Sequence, residues 1–297
     1  MNALWLIAAV AVSQITEEEE VEHTLDRVAD MNGEHGGGHF RFLQPLSVSA
    51  GAIVSDSGAA PVVALSVPLL RSAGSWGESR LFTLDGYATP QSLWAGATLL
   101  THEQFFCRDP ETGGFQGSCP VPRDDSPKCL PNAHAGWFIE LARVWARFQV
   151  DHVAMRIAEG GLFYDVLGTG RTPQVRATRL QLMLGGAGDA VWFQRNSAAT
   201  VRGVAKIRGT VSSDSRRLRA SLEAAWRPSL IAFTTDQLVE GTLVAGVYAV
   251  PELDRAVFIR VRARVSYATR PGMTVSEWAD PTAPLTAGAD VGVELSF

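Results

Sequence analysis

Between Arg255 and Ala268 the residues Val257, Ile259, Val261, Ala263, Val265 and Tyr267 alternate with Phe258, Arg260, Arg262, Arg264 and Ser266. On a helix these arginines would scatter around the cylinder, whereas on a strand they share one face. The segment is therefore read as a strand with a greasy side and a cationic side. Arg217 to Arg227 repeats the pattern, with Leu218, Ala220, Leu222, Ala224 and Trp226 opposing Arg217, Arg219, Ser221, Glu223 and Arg227. So does Val201 to Val211, where Arg202, Val204, Lys206, Arg208 and Thr210 face away from Val201, Gly203, Ala205, Ile207, Gly209 and Val211. Ser212 to Ser215 then reads as a turn. Weaker alternation marks Leu46 to Val54, Val63 to Leu69, Arg80 to Ala88, Leu93 to Leu99, Ala142 to Val150, Leu180 to Leu184 and Leu243 to Ala249. With less regular segments at Val153 to Tyr164 and Asp290 to Phe297, the reading is all-β with about twelve strands, between ten and fourteen. Trp137 to Phe148 also fits a helical face through Phe138, Leu141, Trp145 and Phe148, and is kept as a strand.

Composition narrows the class. The chain has 297 residues, of which 46% are apolar and 19% charged, with 28 Gly and 15 Pro. This excludes a disordered polymer, and a formal net charge of −5 argues against a nucleic-acid binder. The charge is uneven: residues 1–39 carry eight acidic side chains and one Arg, leaving 23 acidic and 25 basic residues in 40–297. The acidity belongs to the head of the chain.

That head reads as two pieces. Ala3 to Val12 is a ten-residue apolar stretch, too short to span a membrane and suited to the core of a secretory signal over residues 1–14, although no Lys or Arg precedes it. Residues 15–39 form an acidic segment in which Val21, Leu25 and Val28 have helical spacing, predicting a short helix before the Gly33–Gly38 linker. Glu34, His35 and His39 resemble a metal-ligand set, but the intervening glycines make a preformed site costly to order, so the linker reading is preferred. The expected organisation is a signal peptide at 1–14, an acidic periplasmic segment at 15–39 and a β-domain at 40–297.

Alternation alone does not separate a soluble barrel from an inverted membrane barrel. The residues Asp290, Gly292, Leu295 and Phe297 break the tie. Their order and spacing resemble the C-terminal assembly signal of bacterial outer-membrane β-barrel proteins. The resemblance covers eight positions and implies an exported, antiparallel transmembrane barrel whose last strand is read by the barrel assembly machinery and whose exterior meets outer-membrane lipid. Such a barrel leaves no unpaired backbone edge in lipid. Arginine facing mid-bilayer would cost about 2–4 kcal/mol, so Arg202, Lys206, Arg208, Arg217, Arg219, Arg227, Arg260, Arg262 and Arg264 are expected to line the lumen as a basic wall. Trp226 and Tyr267 end their apolar faces, where interfacial aromatics belong. Two features resist. Ile53 and Phe258 fall on the lumen face, and a count from a periplasmic start puts the cysteine-containing loop, residues 107–132, on the short-turn side, as if one strand in the first hundred residues were miscounted.

Chemistry is sparse. Cys107, Cys119 and Cys129 predict one disulfide of unassigned pairing plus a spare thiol in an exported protein. A zinc site using His134 lacks compact ligand spacing. His102 beside Glu103 and His152 beside Asp151 carry no nucleophile signature, and no cofactor motif is present, so no enzyme activity, cofactor or metal is expected. The sequence reading is a porin-like channel for small solutes with anion preference, against two alternatives: a structural or adhesive outer-membrane barrel without transport, or an exported soluble all-β protein.

Overall fold

The computed structural model describes residues 41–42, 46–74, 77–90, 93–108, 115–116, 135–148, 151–169, 178–212, 218–233, 235–250, 257–276 and 278–295. The signal and acidic-segment readings, Cys119, Cys129, His134, Arg217 and Phe297 lie outside these. In chain order the strands are β1 (Arg41–Phe42), β2 (Leu46–Ser55), β3 (Gly58–Gly74), β4 (Gly77–Ala88), β5 (Leu93–Arg108), β6 (Phe115–Gln116) and β7 (Ala135–Arg147). They continue as β8 (His152–Thr169), β9 (Thr178–Phe193), β10 (Asn196–Ser212), β11 (Leu218–Pro228), β12 (Gln237–Val250), β13 (Val257–Ala268) and β14 (Leu285–Leu295). β1 and β6 are two-residue pieces lying against β3 and β5. The other twelve form a closed antiparallel barrel, since each pairs with its neighbours in chain order and β14 returns to β2 from Thr286↔Ser55 to Leu295↔Leu46. Closure removes the edges an open sheet would expose. Cys107 therefore belongs to β5, and the connection between β5 and β7 begins after Arg108.

The barrel is inside out. On β13 Ile259, Val261, Val265 and Tyr267 are exposed on the outer wall, whereas Phe258, Arg264 and Ser266 are buried. Leu222 and Trp226 face outward on β11 while Arg227 is buried, and on β10 Val201, Ile207 and Val211 are outside and Arg202 inside. Phe148, Trp192, Trp226 and Tyr267, all exposed, sit at one end of their strands, placing aromatics in a rim at one margin of the apolar wall.

Alternation is weak in the first half of the barrel for a physical reason. The ladders skip the pairs Leu69↔Phe82, Phe82↔Leu99, Leu99↔Ala142 and Ala142↔Ile157, so one row of irregularity crosses β3, β4, β5, β7 and β8. Phe82 and Ala142 have φ of 52° and 48°, a left-handed conformation costly for residues with a Cβ. The row switches which residues point inward. Phe138 and Trp145 are both buried on β7, and Arg156 and Glu159 are both buried on β8, although each pair is separated by an odd number of positions. The helix-like spacing of Trp137 to Phe148 is this phase switch inside a strand.

The remaining discrepancies resolve similarly. Ile53 and Phe258 do point into the lumen, which is partly filled with apolar side chains rather than misregistered. The suspected miscounting of a strand is corrected: β2, β3, β4 and β5 precede the 109–134 connection, as counted. That connection thus leaves the barrel at the end where β2 begins and β14 finishes. The opposite end carries the short turns 56–57 and 194–195 and, between β13 and β14, the segment 269–284.

Candidate functional site

The lumen concentrates the chain's buried charge. Arg202, fully buried on β10, donates from Nε to Asp189 of β9 at 3.1 Å, from Nη2 to Asp236 at 3.0 Å and from Nη1 to the Arg227 carbonyl at 3.1 Å. Arg156 of β8 takes the other oxygen of Asp189 at 3.1 Å and also meets Glu159 at 3.1 Å. Glu159 is in turn shared by Arg227 at 2.8 Å and by Lys206, and Arg227 reaches across to Glu240 of β12 at 2.6 Å. Desolvated charges of this kind are tolerated because nearly every donor has a carboxylate or carbonyl in line.

The structure places the sequence-derived wall residues as follows. Arg202, Lys206, Arg208, Arg227, Arg262 and Arg264 face inward, each held by an acid: Arg208 by Glu103 at 2.7 Å and Glu223 at 2.8 Å, and Arg262 and Arg264 by Asp290 at 2.9 and 3.3 Å. Arg260 donates to Ser47 at 2.6 Å. Arg219 is exposed near the start of β11. Further balancing acids, Glu103, Glu159 and Asp189, come from β5, β8 and β9. The sequence pattern did not single out Glu159, which follows the irregularity at Ile157, or Asp189, which lies beyond the alternation read at Leu180 to Leu184. Asp290 thus has a lumenal role within β14. Gly292 has a packing one, because a Cβ there would lie 2.6 Å from the Ser49 Cβ and the Val48 oxygen. Leu295 closes the ladder against Leu46.

Segment 269–284, which nothing in the sequence pattern singled out, folds back into the barrel. Its Trp278 is buried with Ile53, Val62, Ala64, Tyr87 and Trp94, and the Arg264 guanidinium lies 4.9 Å from its ring. Val275 packs on Trp145, Ala154 and Val191. Polar contacts fix the backbone: Arg156 donates to the Val275 carbonyl at 3.3 Å, and Arg147, stacked 3.5 Å over Trp94, donates to the Ala279 carbonyl. Ser276 donates to Glu240 at 2.8 Å, and Ser55 donates to Asp280 at 2.8 Å, joined there by Ser57. Burial opposes charge on Asp280, yet the hydrogen bonds from Ser57, Thr282 and Ser55 outweigh it and hold the carboxyl below its ordinary range.

These contacts make the two ends of the lumen unequal. Along β10 the exposure of successive charged side chains rises from 0% at Arg202 to 10% at Lys206 and 28% at Arg208. Along β11 it rises from 6% at Arg227 to 35% at Glu223. Water therefore reaches inward from the end where β2 begins and stops at the inserted segment. Where it stops, a cavity of about 130 Å³ lies between Val275, Ser276 and Trp278 on one side and Arg143, Trp145, Arg156, Glu223, Arg227, Glu240 and Thr242 on the other.

The neighbouring pairs noted in the sequence do not act together. Glu103 faces the lumen on Arg208, while His102 shares a 2.6 Å hydrogen bond with Ser79 and lies 4.7 Å from the Trp137 ring. His152 is buried edge-on against Phe193, whereas Asp151 sits exposed in the turn before it. Among the described residues no group of three His, Cys, Asp or Glu side chains is placed to hold a metal.

No protein-family model matches the chain, and no curated protein does either. Among solved structures it is similar to the translocator domain of the autotransporter NalP from Neisseria meningitidis, at 11% identity over 97% of each chain with a TM-score of 0.37. It is also similar to an anion-selective porin from Comamonas acidovorans (9% identity, 88% of this chain and 100% of that one, TM-score 0.34). A FadL homologue from Pseudomonas aeruginosa follows (9%, 85% and 89%, 0.33). At these TM-scores none of the three bears on function.

Proposed function

We propose that this chain is a bacterial outer-membrane β-barrel that passes small polar solutes through its lumen, with segment 269–284 as the constriction. The observation that carries the membrane reading is the polarity of the wall: exposed Leu, Val and Ile outside, paired guanidinium and carboxylate groups inside. A soluble barrel has the reverse arrangement. The transport reading is supported by a polar lumen wetted from one end and blocked at the other by a single inserted segment rather than by the strands themselves. Any anion preference would rest on Arg260 and on small imbalances, since the other inward wall residues have carboxylate partners. The density of that ion-pair network favours a second reading, a structural barrel without transport.

The test is planar-bilayer conductance of the refolded chain, together with its gel mobility before and after heating. A heat-dependent mobility shift with a small conductance supports the proposal. A shift with no current leaves the structural barrel, and a protein that stays soluble without detergent and shows no shift removes the membrane reading. Loss of anion preference on replacing Arg260, Arg262 and Arg264 by Gln would assign selectivity to that face, and no change would exclude it.

A further inference from the structure

The outer wall carries a polar pair on the face that meets lipid. Glu103 and Phe138 point into the lumen, so alternation turns their chain neighbours His102 and Trp137 outward. Ser79, opposite His102 in the β4–β5 ladder, shares that face, and its Oγ lies 2.6 Å from His102 Nδ1. The Trp137 ring, 4.7 Å from the imidazole, braces it. From Trp137 the ladder continues to Leu162 and Leu184, which are 69% and 68% exposed, so the pair borders apolar wall. Ser79 is only two residues past Gly77, where β4 begins, which sets the pair toward the margin of that wall. Both side chains are half-buried and within reach of a molecule at the surface.

An ionisable side chain on a lipid-facing wall is costly and marks function by default. A hydroxyl in hydrogen-bond contact with an imidazole is the nucleophile and base of acyl transfer. The ester bonds of a glycerolipid lie at the boundary between headgroups and hydrocarbon, the level of this pair. Resting on the membrane reading of the barrel, we propose that Ser79 and His102 hydrolyse the acyl esters of lipids at the outer wall. His102 Nδ1 takes the hydroxyl proton as Ser79 Oγ bonds to the acyl carbon and the carbonyl electron pair moves onto its oxygen. That pair returns, the ester C–O bond breaks, and the departing alcohol takes the proton from His102. Water then attacks the acyl-serine by the same route, releasing the fatty acid and restoring Ser79. Gln104, two positions along the same face of β5, stands diagonally from Ser79, a separation of about 7–8 Å that a long side chain spans, and supplies an amide N–H for the developing oxyanion.

The test uses the refolded full chain in detergent, with didecanoyl phosphatidylcholine in mixed micelles as substrate and a long-chain alkyl fluorophosphonate as covalent probe. Release of decanoate and labelling of Ser79, located by peptide mass spectrometry, are expected. Ser79→Ala should abolish both, His102→Phe should lower turnover at least about a hundredfold, and Gln104→Leu should lower kcat at least about tenfold, all with the heat-dependent mobility shift kept. Absence of label on Ser79 in protein that shows the shift, turnover no higher than that of Ser79→Ala, or undiminished turnover in a folded His102→Phe protein overturns the proposal. The mobility shift reads the barrel and the label reads the pair, so the membrane reading and the hydrolase fail separately.

Discussion

At the scale of single residues, the lumen depends on carboxylates that serve more than one cation. Asp189 is the sharpest case, one oxygen on Arg156 and the other on Arg202, with all three side chains buried. Removing one partner of a buried pair strands charge, at about 3–5 kcal/mol. Asp189→Ala is therefore expected to lower the stability of the vesicle-folded protein, read from urea titration, by that order, and a loss under about 1 kcal/mol would show that water reaches these groups. Asp280 makes a pH prediction. Its folded-state pKa is held below the ordinary 3.8, so its clasp on Ser55 and Ser57 is complete above that value and is lost only as pH falls through the lowered one. Hydrogen exchange of residues 271–276 and 278–283 should accordingly be flat from pH 7 to about 4.5, once corrected for intrinsic rates, and accelerate beneath the ordinary carboxylate range. Asp280→Ala should exchange fast throughout, and equal protection in the two proteins would remove the clasp.

At the scale of the strand, β13 offers a comparison between adjacent positions. Val261 is 54% exposed on the outer wall and Arg262 points inward to Asp290. In lipid, an arginine at a mid-wall outward position costs about 2–4 kcal/mol. Val261→Arg should therefore destabilise the vesicle-inserted protein by that amount, read from urea titration; neutrality or a gain would place this wall in water. The period-two pattern of this strand was legible because the ladders from β10 to β14 run in one phase apart from a single shift near the end of β12, between Tyr248 and Val250. In β4, β5, β7 and β8 it was legible only in part, because the row through Phe82, Leu99, Ala142 and Ile157 reverses inside and outside midway. A positive φ at Phe82 or Ala142 leaves no mark on residue type that a pattern search detects, since neither is Gly or Asn.

At the scale of the whole molecule, the question is whether the lumen is filled by its strands or by the inserted segment. Trp278 and Val275 join lumenal clusters contributed by β2, β3, β4, β5, β7, β8 and β9, so the segment ties the wall together as well as blocking it. Replacing residues 272–281 by a short Gly-Ser linker should raise single-channel conductance several-fold while leaving the barrel closed by gel mobility. An unchanged conductance would show that the ion-pair network itself is the barrier, in favour of the structural reading.

What the sequence alone determined is the local geometry. Alternation follows from the pleat, a property of neighbouring residues, so strand identity and an approximate strand number could be read directly, whereas which face turns outward needed the resemblance at Asp290, Gly292, Leu295 and Phe297. What tertiary structure decided is which charges meet. Arg208 finds Glu103, Arg227 finds Glu159, and Arg156 finds the Val275 carbonyl only because closure and strand order bring distant strands face to face across the lumen. The basic wall seen along the sequence is for that reason largely neutralised in space. The inward fold of 269–284 likewise depends on a hollow that exists only once twelve strands have closed around it.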